Sequence, residues 1–157
     1  MSAENTAQSK EGIVKPTVLL VEDSKVQRLA NEKILLAGGY LVLVAPSGEE
    51  ALRLAKEAKP DLMLLDLVLP KLSGLEVLQA LKRDGELAMT PVIVLSNLTS
   101  QNKAEIETAG AAGYFRKSRL AEGATGEAEL IALINKTLSE TTNKELKPRT
   151  TMGSASR

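Results

Sequence analysis

An alternation of two patterns constrains this chain more than any other feature. Short apolar runs stand at Thr17–Val21, Leu41–Ala45, Leu62–Asp66 and Val92–Ser96, with a weaker fifth at Gly113–Phe115. Runs of this length, bounded by polar or turn residues, suit strands covered on both faces, hence a parallel sheet. Helical periodicity fills the gaps. Val26, Leu29, Ala30, Lys33, Ile34 and Ala37 follow a 3.6-residue rhythm, which Gly38-Gly39 ends. Ser47 can cap a helix from Gly48 to Ala58 that buries Ala51, Leu52 and Ala55. Leu75, Leu78 and Leu81 mark a helix from Gly74 to Arg83. Ser100 can cap a polar helix ending near Ala109, and Leu130, Ile131, Ile134 and Leu138 mark the last one.

Five strands joined by single helices predict a (βα)5 doubly wound parallel sheet, because each crossover is right-handed and lays its helix on a face. Met1 to Lys15 reads as a disordered tail, residues 16–139 as one domain, and residues 140–157 as a polar tail that can extend the last helix. The core must be aliphatic, because the aromatics are only Tyr40, Tyr114 and Phe115.

Composition removes several kinds of chemistry. With neither Cys nor His, the chain has no disulfide, thiolate nucleophile, imidazole base or ordinary zinc ligand set. Twenty basic residues balance twenty acidic ones, so no bulk charge draws the chain to nucleic acid or anionic lipid. No stretch approaches the roughly 20 apolar residues that span a bilayer. The first 15 residues lack the apolar run of a signal peptide, so the cytoplasm is the expected location.

Ligands of doubly wound sheets bind outside the carboxyl ends of the strands. Here those ends carry Glu22-Asp23, Asp66, Ser96-Asn97 and Lys117. Three carboxylates converging on one edge repel unless a cation sits among them, and hard oxygen ligands without His or Cys suit Mg2+. A hydroxyl and an ammonium beside them can hold the oxygens of a phosphate. Taken singly, an acidic pair after a strand is usually a cap or a solvated turn, a Ser a cap, and a Lys a surface charge. Their joint occurrence at four strand ends is what argues for a site.

At these positions the chain resembles the receiver domain of two-component response regulators, of the chemotaxis-regulator type. The matching stretches are Val-Leu-Leu-Val-Glu-Asp-Ser at 18–24, Asp-Leu-Met-Leu-Leu-Asp-Leu-Val-Leu-Pro-Lys-Leu-Ser-Gly at 61–74, Pro-Val-Ile-Val-Leu-Ser at 91–96 and Gly-Ala-Ala-Gly-Tyr-Phe-Arg-Lys at 110–117. The resemblance runs from residue 16 to about 139. It implies a flavodoxin-like fold with strand order 2-1-3-4-5, and a signalling switch rather than an enzyme. Asp66 would take a phosphoryl group from a phosphohistidine on a histidine kinase or phosphotransfer protein. Asp23, Asp66 and the Val68 carbonyl would bind Mg2+, with Glu22 acting through a water. Lys117 would pair with the phosphoryl oxygens, and Ser96 would donate a hydrogen bond to one. Tyr114 fits the aromatic that changes rotamer on phosphorylation. The helix after Ser96, the fifth strand and the last helix would dock a downstream protein.

Three positions depart from the family pattern: Ser118 where Pro usually follows the lysine, Asn97 where a small residue is common, and a longer link from Arg119 to Gly126. A trans Lys117–Ser118 bond is expected, because a cis bond before a residue other than Pro costs about 2.5–4 kcal/mol. Other functions remain open. A pseudo-receiver would dock partners without phosphorylation, although no expected site residue is missing. A Mg2+-dependent phosphatase of the haloacid-dehalogenase type needs a second Asp where Val68 stands. A flavin binder needs a phosphate-cradling loop and stacking aromatics.

Overall fold

The computed structural model describes residues 14–97 and 100–155, with the side chains of Ser100, Gln101 and 144–155 left aside. The strands are β1 (Thr17–Val21), β2 (Leu41–Ala45), β3 (Leu62–Asp66), β4 (Val92–Ser96) and β5 (Gly113–Arg116). The helices are α1 (Lys25–Ala37), α2 (Gly48–Ala58), α3 (Gly74–Arg83), α4 (Ser100–Thr108) and α5 (Ala124–Ala155). A 3-10 helix, Lys117–Glu122, joins β5 to α5. All strand pairings are parallel, in the order β2-β1-β3-β4-β5. The chain reverses direction across the sheet between β1 and β3, which is where such sheets open a ligand crevice.

The two-residue period of the strands sorts the core into two halves. Leu19, Val21, Met63, Leu65, Val92 and Val94 meet α2, α3 and α4 through Ala51, Ala55, Val77, Leu78, Leu81 and Ile106. Val18, Leu20, Leu62, Leu64, Ile93 and Leu95 face the other way, onto Leu35 of α1 and Leu130 and Ile134 of α5. Burial on both faces is complete for β3 and β4 and nearly so for β1. It fails for β2, an edge strand that leaves Leu41 half exposed.

Local signals account for the boundaries. Ser24, Ser47 and Ser73 each accept the N–H three residues on, and Ser73 forms a reciprocal capping box with Glu76. Gly39 follows α1 at a φ of 95°, a left-handed conformation that favours glycine. Ser100 lies inside α4 rather than before it, and that helix stops at Thr108.

The apolar rhythm read for α1 found the helix but only part of its inner face, for Ile34 packs against the core while other members of the rhythm do not. Val26 is 78% exposed and Leu29 53%, while Asn31 and Leu35 are buried against the sheet. The Arg119–Gly126 link is not a long loop either. It is the 3-10 helix followed directly by the first turn of α5. Gly126 permits their close crossing, since a Cβ there would stand 1.8 Å from the carbonyl oxygen of Arg119. Arg119 braces the crossing through ion pairs to Glu122 and Glu129.

Candidate functional site

β1 and β3 deliver the acidic residues to the same edge. Glu22 and Asp23 follow β1, and Asp66 closes β3 beside them. The three carboxylates each offer an oxygen, and these lie within 4.8 Å of one another. Glu22 and Asp66 are buried while Asp23 is exposed, so the cluster has a wet side and a dry side.

Asp66 is held at three points. Its Oδ2 accepts from the Lys117 ammonium at 3.1 Å, and its Oδ1 accepts the Val68 N–H at 3.1 Å. Its backbone is backed by Gly74, whose amide donates to the Leu67 carbonyl at 2.9 Å. A Cβ on Gly74 would fall 2.3 Å from the Asp66 carbonyl oxygen, so only glycine lets α3 start this close to the strand end. Leu69 turns back into the core and anchors the intervening loop. Val68 stands 69% exposed at the mouth of the site.

Lys117 also lies 3.3 Å from Glu22 Oε1. That oxygen is buried and receives no aligned hydrogen bond, whereas Oε2 accepts the Ser24 N–H at 3.2 Å. Burial pushes the Glu22 carboxyl above its ordinary range, and repulsion from Asp66 adds to this. The Ser24 amide and the Lys117 ammonium pull the other way. One ammonium against three carboxylates leaves an electron-rich cluster with an under-coordinated buried oxygen. That donor set fits a hard divalent cation such as Mg2+.

Ser96 ends β4, between Asp66 and Lys117 in strand order, and is buried. Its carbonyl accepts the Tyr114 hydroxyl at 3.0 Å, so the half-buried aromatic of β5 is tied to the strand end that carries the hydroxyl. Asn97 follows, and its Oδ1 accepts the Ser118 N–H at 2.8 Å. The Lys117–Ser118 bond is trans, as are all the described peptide bonds. Leu98, a further residue of interest in the sequence, lies outside the described residues. Every residue singled out at a described strand end therefore reaches this one edge.

Two participants escaped the sequence reading. Arg28 donates from Nη1 to the carbonyls of Glu22 at 3.0 Å and Asp23 at 3.3 Å, fixing the turn that carries the acidic pair. Asn31 is 5% exposed and lines a cleft of about 390 Å3 with Gln27, Asn97, Lys117, Leu120 and Ala121. Spacing from Asp23 could have suggested Arg28, one turn into α1. Asn31 carried no signal, because polar residues on a helix are ordinarily read as its wet face.

Comparison with known proteins identifies a family. The family model for the response regulator receiver domain matches residues 18–124. The polar-differentiation response regulator DivK of Brucella anthropi is 38% identical over 102 residues, covering 64% of this chain and 83% of that protein. Among solved structures, the Francisella response regulator 1452 receiver domain superposes with a TM-score of 0.71 at 30% identity, covering 81% of this chain and 99% of that one. Vibrio cholerae chemotaxis protein CheY4 gives 0.67 at 29%, covering 78% and 98%. With the family model matching well over half the chain, and the carboxylates, hydroxyl and lysine gathered on the edge where the sheet reverses, this chain belongs to the response regulator receiver domain family of two-component signalling.

Proposed function

We propose that this chain is a phosphoacceptor switch in which Asp66 takes a phosphoryl group from a phosphohistidine on a partner kinase or phosphotransfer protein. The observation that carries the reading is Asp66 itself. It is a buried carboxylate at a strand end, oriented by Lys117 and the Val68 amide within an acidic cluster that has room for a cation. An Asp66 oxygen attacks phosphorus, the P–N bond breaks, and the imidazole leaves with the electron pair. Such transfer needs positioning and charge neutralisation more than covalent help from the protein. Asp23, Asp66 and the Val68 carbonyl would hold Mg2+, with Glu22 acting through a water, and the ion would neutralise charge on the phosphoryl oxygens. Lys117 pairs with one of those oxygens, and the Ser96 hydroxyl donates to another.

The exposed apolar side chains of α1, Val26 and Leu29, begin three residues after Asp23 and suit the docking of the phosphodonor. The output is read on α4, β5 and α5. Tyr114 is the link, because its hydroxyl already engages the carbonyl of the residue that must turn toward the phosphoryl group. The local charge change then biases a two-state surface.

The test is loading with acetyl phosphate and Mg2+, followed by intact mass. Wild type should gain one phosphoryl group and Asp66→Asn none, with both folded by circular dichroism. An undiminished adduct in the variant would move the acceptor elsewhere. A folded wild type that takes no phosphoryl group from acetyl phosphate or from a phosphohistidine donor would favour a pseudo-receiver.

A further inference from the structure

We infer that Asn97 is a positioning residue for Lys117, acting through the Ser118 amide; this rests on the phosphoacceptor reading of Asp66. The first N–H groups of any helix lack intrahelical partners and need a cap. The 3-10 helix that starts at Lys117 receives none locally, for its N-cap residue Arg116 makes no side-chain hydrogen bond to it. Asn97 supplies the missing acceptor from just past the end of β4, at 2.8 Å. Pairing of Ser96 with Arg116 sets Asn97 and Lys117 side by side past the ends of β4 and β5. The Asn97 side chain therefore reaches across to the residue after the lysine.

Two sequence departures thus become one device. Ser118 has an N–H that a proline would lack, and Asn97 has an acceptor that a small apolar residue would lack. The bond closes a loop through both groups that meet the phosphoryl oxygens: the Ser96 hydroxyl lies one residue before Asn97, and the Lys117 ammonium one residue before Ser118. Lys117 lies 3.1 Å from Asp66 through a long flexible side chain, so its backbone position decides where the ammonium rests. An anchored lysine presents its charge without first losing chain freedom, and that is the advantage of preorganised charge in transfer chemistry.

The experiment is a double-mutant cycle of Asn97→Ala and Ser118→Pro in the full chain, with Asn97→Asp as the variant that keeps the acceptor. Proline is tolerated in a first helical turn, so Ser118→Pro removes the donor without breaking the helix. Asn97→Ala should slow Asp66 loading about three- to tenfold, the equivalent of one ordinary hydrogen bond. Ser118→Pro should slow it comparably and the double variant no further, while Asn97→Asp, which keeps the acceptor, should keep the slow Ser118 amide exchange of the wild type. Thermal midpoints of all variants should stay within a few degrees, which separates positioning from loss of fold. Hydrogen exchange at the Ser118 amide, measured without donor or metal, should accelerate in Asn97→Ala. Loading of Asn97→Ala at the wild-type rate, additive effects in the cycle, or an unchanged Ser118 exchange rate overturns the inference. Failure of the wild type to load overturns the phosphoacceptor reading instead, and the exchange measurement still decides whether Asn97 holds Ser118.

Discussion

Replacing Glu22 by glutamine keeps the shape of the side chain and removes one charge from the dry side of the cluster. Coulomb terms pull both ways. At an effective dielectric of about 20, repulsion from Asp66, within 4.8 Å, is at least about 3.5 kcal/mol, and attraction to Lys117 across 3.3 Å is about 5 kcal/mol. The two largely offset, and neither outweighs the several kcal/mol that burying a carboxylate costs. Burial therefore wins, in agreement with the upward displacement of the Glu22 carboxyl. A carboxyl raised in the fold binds its proton more tightly there than in the unfolded chain. The stability that Glu22 contributes is fully present below the ordinary value of 4.5 and is lost as pH rises through the raised value. Glu22→Gln should accordingly stabilise the metal-free protein at pH 7.5 and flatten the loss of stability above pH 4.5. Urea unfolding followed by circular dichroism reads this, since the chain has no Trp. With 10 mM Mg2+ added, wild type should gain more stability than the variant. A metal-free Glu22→Gln protein less stable than wild type at pH 7.5 would refute the dominance of burial.

Gly74→Ala should destabilise by about 1–3 kcal/mol or more, because the added methyl meets backbone at Asp66 and Leu67 rather than a movable side chain, and calorimetry checks it. Tyr114→Phe removes the bond to the Ser96 carbonyl and should cost about 1 kcal/mol while leaving the Asp66 loading rate within about twofold. Once formed, phospho-Asp66 should last many minutes. Val68 offers no hydrogen bond to orient an attacking water, and the Asn97 oxygen is already engaged by Ser118. Val68→Asn should shorten the half-life, read by phosphate release after donor removal with Mg2+ present, and a wild-type half-life of seconds would sink this account.

Strand-end chemistry was legible because topology alone assigns it. Once Leu62–Asp66 is a central parallel strand, Asp66 must emerge at the carboxyl edge beside whatever follows β1. The inner face of α1 was only partly legible. The rhythm carries Ile34, which packs against the core, but also Val26 and Leu29, which the fold leaves in water. The true inner face contains Asn31, a polar residue buried where the helix crosses toward the site, and hydrophobic periodicity reads such a position as surface. The contact between Asn97 and Ser118 was invisible for a different reason. It joins residues 21 apart whose meeting depends on the register of two strands, and a one-residue slip would abolish it.

That register also bears on how a signal could leave the site. β4 ends at Ser96 with two cross-strand ties close to the end: its carbonyl receives the Tyr114 hydroxyl, and the next side chain receives the Ser118 amide. Both donors sit on β5 or just past it, at positions flanking Lys117. Where drawing the Ser96 hydroxyl toward a phosphoryl oxygen also turns the Ser96 peptide, the carbonyl is redirected with it. The Tyr114 bond is then strained or lost, while the Asn97 bond, anchored by a side chain with its own rotatable bonds, can persist. The two ties thus respond differently to one motion. On the proposed reading, the amide tie would keep Lys117 in place for the chemistry while the tyrosine is released from the strand end. Amide exchange at Ser118 that stays slow in the phosphorylated protein, together with a changed Tyr114 ring environment by NMR, is the expected pattern. Simultaneous loss of both ties would mean that the whole end of β4 moves as a unit.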